Sequence, residues 1–435
     1  MVCCLKKICL FAIALIFILP CPGFAGYEYI DITNPFLRKI PVAIPAFKTI
    51  SGDYNAKRAC AKTSDLLCKS LQFTGYFKIL EQKSFPLKSV KSDVVSSDID
   101  FKKWAGIGAE FLISGKFLLQ NNRLAIELRL YDTIKKQLLV GKKYQGSIKY
   151  QRKIIHRFCS EIISNVTGGK GIFNSEIAFV STHRGDSRIY ICEFDGNNPT
   201  IFTSARNIIL SPAWSWDGNW IAYTAYAKGM PGLYIKHRSK NQGTIFKKQG
   251  VKLAPAWVPG KLELAATFSF SGDQEIYLLT GTGKIIKRLT HNRGIDLSPA
   301  WSPDGKQMAF VSKRSGTPQI YIKHMASGRV YRLTFEGNYN QQPAWSPTGD
   351  KIAYTRMENG RCNIYLIDTN GNSSVRLTHN AGDNESPSWS PDGSLILFSS
   401  TREGPSRIYV MTRYGTDQRR LLTLPGEQKT PQWSK

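Results

Sequence analysis

Between residues 123 and 130 the chain alternates strictly. Leu124, Ile126, Leu128 and Leu130 face one way while Arg123, Glu127 and Arg129 face the other. A period of two with one apolar side is a strand with one packed and one wet face. Residues 111–119 and 137–144 flank it, with Asn121-Asn122 and Asp132 at the turns, and the three predict a meander. Two other stretches carry the helical period. Ala56, Ala59, Cys60, Thr63, Leu66, Leu67 and Leu71 form one stripe over residues 56–73. Ile154, Ile155, Phe158, Cys159, Ile162, Ile163 and Val166 form another, stopped by Gly168-Gly169. Residues 40–47, punctuated by Pro41 and Pro45, read as a strand, residues 77–80 as a short strand and residues 101–107 as a helix. Residues 26–170 are therefore expected to form a compact α/β domain with a mixed or antiparallel sheet.

The second half repeats. Trp214, Trp257, Trp301, Trp345, Trp389 and Trp433 each follow a proline by two residues, at spacings of 43, 44, 44, 44 and 44. Tyr190, Tyr234, Tyr277, Tyr321, Tyr365 and Tyr409 mark the same period in β-rich runs. One period reads as four strands: 298–302, then the turn Pro303-Asp304-Gly305, then 307–312, 319–324 and 330–334. Four strands in about 40–45 residues signal a β-propeller blade. Lys170 stands where one more tryptophan would precede Tyr190. The Trp433 strand is thus expected to complete the blade begun by residues 177–181, closing a six-bladed ring over 171–435. The overall expectation is a two-domain α+β protein. The repeat Trp257-Val258-Pro259-Gly260 lacks the Asp and one residue, which shortens a turn.

Composition narrows the class. With 42% hydrophobic and 21% charged residues in 435, a disordered, collagen-like or coiled-coil chain is excluded. Lys6 and Lys7 precede an apolar run from Ile8 to Leu19, then Pro20 and Gly23-Phe24-Ala25. This is the pattern of a cleaved secretory signal over residues 1–25. The run would reach only about 18 Å as a helix, short of a bilayer core of about 30 Å, which argues against the alternative of an uncleaved anchor. No later apolar stretch is long enough to span a membrane, so an exported, soluble, monomeric protein is expected.

The formal charge is +27, from 59 Lys+Arg against 32 Asp+Glu. Such a balance suggests nucleic acid or an anionic surface, but export argues against nucleic acid. The charge is also spread over both domains with no run of five like charges. Five cysteines lie beyond the signal: Cys60, Cys68, Cys159, Cys192 and Cys362. Their spacing is no disulfide framework; one bridge from Cys159 to Cys60 or Cys68, or buried free thiols, are the open readings.

Catalytic signatures are missing: there is no GxSxG, HExxH, P-loop or CxxC beyond residue 25. Gly281-Thr282-Gly283 falls in a turn, and Asp217, Asp304 and Asp392 read as turn formers. No catalytic, cofactor or metal site is expected. His291 and His379 both occur in Arg-Leu-Thr-His-Asn, two repeats apart, in loops leading to the innermost strands. A metal or acid/base role is their minor reading; contact with a partner, or plain repeat consensus, is the major one. The same loops supply the other rim candidates: Ile208, Lys252, Asp296, Leu297, Asn340, Gln341, Asn384, Glu385 and Gln428. Residues 26–38 form a separate extended segment. Within it Tyr27, Tyr29, Ile30, Asp31, Ile32 and Thr33 are β-rich, suited to adding as an edge strand to a partner, or else a simple first strand or loose terminus.

The motif Pro299-Ala300-Trp301-Ser302-Pro303-Asp304-Gly305-Lys306 resembles the repeat of the TolB family of propeller proteins. Ile30-Asp31-Ile32-Thr33, the run from Ile40 to Phe47, and Gly108-Ala109-Glu110 with Ile113-Ser114-Gly115 are similar to that family's amino-terminal domain. The resemblance implies a periplasmic, non-enzymatic component of the Tol-Pal system that supports outer-membrane integrity and constriction at division. It implies binding of the lipoprotein Pal at the propeller face and of TolA through the N-terminal segment. The high positive charge and the shortened turn depart from the family pattern. Two rivals remain. An exported enzyme acting on a glycan or peptide in the channel would draw on Asp296, Asp383 and Glu385. A cationic envelope scaffold would bind in a salt-sensitive way.

Overall fold

The computed structural model describes residues 38–435 apart from 51–52, 87–98, 206–207, 228, 247–249, 251, 373 and 380. The expected signal and Tyr27–Thr33 lie outside the described residues.

The first domain runs β1 (Ile40–Ala43), β2 (Lys48–Thr49), α1 (Tyr54–Phe73), β3 (Phe77–Ile79), α2 (Phe101–Gly106), β4 (Phe111–Gln120), β5 (Arg123–Asp132), β6 (Gln137–Ser147) and α3 (Gln151–Thr167). Its sheet has the order β3-β1-β4-β5-β6, with β2 also on β4. β1 is parallel to β3 and β4, and the meander β4-β5-β6 is antiparallel, so the sheet is mixed. Only Ile40–Ala43 of the expected strand over 40–47 forms; residues 44–47 leave the ladder, where Pro45 has no N–H to give, and β2 follows just beyond. The β4–β5 hairpin turns on Asn121 and Asn122, at φ 47° and 61°, as a two-residue turn of this hand requires. Leu124, Ile126, Leu128 and Leu130 point inward against Leu67, Leu71, Phe158 and Ile162 of the two long helices. Gly168, at φ 74°, caps α3.

The described residues then form six four-stranded sheets. In blade one, Glu176–His183, Asp186–Glu193 and Thr200–Ala205 are completed by Glu427–Trp433, with Trp433 opposite Ile177 and Glu427 opposite Thr182. The innermost strands of blades two to six are Ile209–Trp214, Lys252–Trp257, Asp296–Trp301, Asn340–Trp345 and Asn384–Trp389. None of these is the plain strand the pattern suggests. Each shifts register midway, and the residue before its proline is left-handed: Ser211, Ala254, Ser298, Gln342, Ser386 and Thr430 have φ between 47° and 57°. A bulge leaves one residue unpaired, which is how a proline fits beside a central ladder.

Tryptophans seal the seams. Indole Nε1 of Trp257, Trp301 and Trp389 donates to Ala213, Ala256 and Ala344 O in the preceding blade, at 3.0–3.2 Å. Trp214 reaches Gln432 O at 3.2 Å, tying blade two to the closing strand. The Pro and Trp residues line a cup of about 240 Å³ at one end of the channel. At this end the turns of blades one and six meet the first domain. Lys39 pairs with Asp417 at 2.5 Å, Arg419 donates to Phe73 O, and Arg152 pairs with Glu193 and Asp195. The loops leading into the innermost strands therefore stand at the far end, away from the first domain.

Candidate functional site

The far rim is built by a repeated clamp. In blades three, four and five the outer strand ends at an arginine that is followed by Leu-Thr. Thr290, Thr334 and Thr378 accept the N–H of Ile276, Ile320 and Ile364 through Oγ1, each at 2.9 Å. The same hydroxyls donate to Glu275, Gln319 Oε1 and Asn363 Oδ1. Arg288, Arg332 and Arg376 each donate from Nε to the carbonyl of the same threonine, at 2.6–2.8 Å. The threonine hydroxyl and the isoleucine N–H at each loop base are thereby paired. The next residue is left pointing into solvent: His291, Phe335 and His379.

Phe335 was not among the sequence candidates, yet it is 70% exposed. It occupies the same repeat position as the two histidines, 44 residues from each, and Arg332-Leu333-Thr334 was the signal that could have found it. Tyr339, Met357, Ile208 and Met230 add exposed apolar surface at the same end. His291 and His379 are thus separated by a whole blade with an aromatic ring between them. Among the described residues no group of three His, Cys, Asp or Glu side chains gathers as a metal site.

The other candidates divide. Ile208 is exposed, and Leu297, Gln341 and Glu385 are half-buried along the channel mouth. Lys252, Asp296, Asn340, Asn384 and Gln428 are all buried, so their side chains are closed to a partner. Each stands at or next to the start of an innermost strand and turns inward to tether a neighbouring loop. Asp296 accepts Arg314 Nη2 at 2.9 Å, and Asn384 accepts Arg402 Nη2 at 3.0 Å. Asn340 donates to Gln319 Oε1 and Glu336 O, both at 2.8 Å, and accepts Arg356 Nε at 3.2 Å. Gln428 Nε2 reaches Leu424 O at 2.8 Å. Lys252 Nζ donates to Gly250 O and Pro231 O at 2.7 and 3.1 Å, and burial holds its amine below the usual lysine range. These five support the rim from below.

The acids at the mouth are engaged as well. Burial raises the Asp296 carboxyl, against the pull of Ser312 and Arg314, and its Oδ1 has no hydrogen-bond partner. Asp383 Oδ1 accepts the Cys362 N–H at 3.0 Å. Asp217, Asp304 and Asp392 sit at the opposite end, each accepting the hydroxyl of the serine two residues before it. Cys60, Cys159, Cys192 and Cys362 are buried and Cys68 half-buried, all as free thiols. Burial pushes the Cys60 thiol up to about 11, away from reactive thiolate. No described helix is long and apolar enough to cross a membrane. The arrangement suits binding over a broad rigid face, with apolar and imidazole groups held outward on clamped loops.

Known proteins agree with this architecture. The family described as TolB amino-terminal domain matches residues 28–139, and the TolB beta propeller domain matches residues 163–435. A Tol-Pal system protein TolB of Desulfosudis oleivorans is 54% identical over 283 residues, 65% of this chain and 65% of that protein. A TolB homolog of Chlorobaculum tepidum is 42% identical over 264 residues, 60% of this chain and 59% of that one. The chain thus spans slightly under two thirds of the length of these relatives. The crystal structure of TolB from Acinetobacter baumannii superposes with a TM-score of 0.79 at 27% identity, covering 91% of this chain and 97% of that one. With both domains matched in order, the chain belongs to the TolB family.

Proposed function

We propose that this protein is a periplasmic, non-enzymatic adaptor of the Tol-Pal system. It binds Pal at the far rim of the propeller and TolA through residues 27–33, and so supports outer-membrane integrity and constriction during division. The observation that carries this reading is the exposed arc of His291, Phe335 and His379 on three consecutive blades, at the end left free by the first domain. Aromatic and imidazole groups on a rigid base lose little conformational freedom when covered, which favours them as anchors. Pal occupancy of the rim then governs whether the N-terminal segment is offered to TolA.

The test is binding of purified Pal by the mature protein at low and high salt, beside the variant His291→Ala/Phe335→Ala/His379→Ala. Saturable binding that survives high salt and falls at least about tenfold in the variant is expected. Binding that disappears at high salt and ignores the variant would make the +27 charge the active feature instead. The relay between partners is checked by removing residues 26–34. Loss of TolA binding with a changed Pal affinity supports it, and an unchanged Pal affinity counts against it.

A further inference from the structure

The joint between the domains holds a group that the adaptor reading does not use. His156 on α3 is 5% exposed, and its Nε2 has no hydrogen-bond partner. Its ring stands edge-on to Phe194 of blade one, centroids 5.0 Å apart, and lies 6.0 Å from Phe173 of the linker. Phe194 in turn meets Phe173 at 5.2 Å and Phe73 of α1 at 5.3 Å. Rings from the first domain, the linker and the propeller therefore plug the joint together. Charged groups surround the plug. Arg152, one turn earlier on α3, is shared by Glu193 and Asp195 of blade one. Glu176 of blade one is taken by Arg238 of blade two, and Arg419 of blade six lies over the Phe73 ring. Lys149 and Lys153 line a cleft of about 320 Å³ that opens beside His156, Ser175 and Asn198.

A protonated imidazole has two N–H donors, and here Nε2 meets no acceptor. Glu193 and Asp195, the carboxylates that favour its charged form, are already committed to Arg152, whose own charge opposes a second cation. We propose that His156 makes the docking of the first domain on the propeller sensitive to acid, protonation of its ring loosening the aromatic joint. In the docked protein, burial first and Arg152 second hold the imidazole down at about 4. With the joint open and the ring in water it returns to about 6.5. The docked form favours the neutral ring, so docking is at full strength above about pH 6.5 and weakens as pH falls toward the docked value. Between about pH 7.5 and pH 5 the docking equilibrium falls about thirtyfold.

The experiment is hydrogen exchange on the full mature chain at these two pH values, corrected for the intrinsic rate and followed at residues 150–156, 172–175 and 193–197. Opening should rise about thirtyfold in the unaltered protein and less than about threefold in His156→Phe, which keeps a ring in the plug but cannot titrate. Any effect of protonating Glu176, Glu193 or Asp195 persists in the variant and is thereby separated. Equal opening at both pH values in the unaltered protein, or the full increase retained in His156→Phe, overturns the proposal. Should that variant fail to fold, the ring-proton titration of His156 in the unaltered protein decides. A midpoint below about 5.5 supports the proposal and one at or above it overturns it.

Discussion

Ala254 has φ 47° and is followed by Pro255, so a side chain sits where an L-residue is strained and the backbone has little room to relax. The same strain recurs at Ser211, Ser298, Gln342, Ser386 and Thr430, one per innermost strand. After four of these prolines the tryptophan ties the strained strand to the neighbouring blade, through Trp214, Trp257, Trp301 and Trp389. Ala254 is the cleanest probe because it has no polar atoms to rearrange. Ala254→Gly is expected to raise stability by about 0.5–1 kcal/mol, and Ala254→Val to lower it by about 1–3 kcal/mol. Denaturant unfolding of the two variants beside the parent reads both. If both substitutions lower stability equally, the left-handed turn is not the source of the strain. The sequence hid this feature because a proline two residues before a tryptophan announces a strand and says nothing of the bulge that admits it.

At the level of the element, the clamp sets what each rim loop shows. Thr334 both accepts the Ile320 N–H and donates to Gln319, which is buried and also holds Asn340. Thr334→Val leaves a backbone N–H and an amide oxygen short of partners and is expected to cost about 1–3 kcal/mol. Phe335 should loosen with it, so if Pal docks on the rim as proposed, its binding should weaken although the aromatic ring is unchanged. Thermal melting and Pal titration of the same sample check both; a destabilised variant with intact binding would detach the clamp from the rim surface. Strand identities were legible here, since residues 307–312 and 319–324 form as the pattern predicts. The inward turn of Asp296, Asn340 and Asn384 was not. A loop-to-strand boundary misplaced by one residue reverses which side a residue faces, and the alternation that would fix it is broken by the bulge. His156 escaped for a related reason: a polar residue beside an apolar helical stripe reads as surface unless the second domain packed against it is known.

On the scale of the whole molecule, period, blade number and closure were readable because six copies of one pattern reinforce each other. The joint between domains was not, for it is made of single residues such as Phe73, Phe194 and Arg152 that occur in no repeat. Closure itself rests on Gly426, at φ 78°, where an added Cβ would lie 2.3 Å from Thr182 O. Gly426→Ala is expected to cost more than about 2 kcal/mol and to expose blade one to protease before the others. Limited proteolysis with mapping of the first cleavage checks this, and a first cut elsewhere refutes it. The closing strand also has a consequence in time. Blade one is begun by Glu176–His183 but receives its innermost strand only from Glu427–Trp433, the last strand of the ring to be synthesised. While the intervening chain of about 240 residues is still being made, the first blade waits with an open edge and without its innermost strand. Folding of this ring is therefore a race between completing the chain and the chance pairing of that edge. Slower synthesis of the chain would lose the protein to aggregation or proteolysis without a single residue being changed.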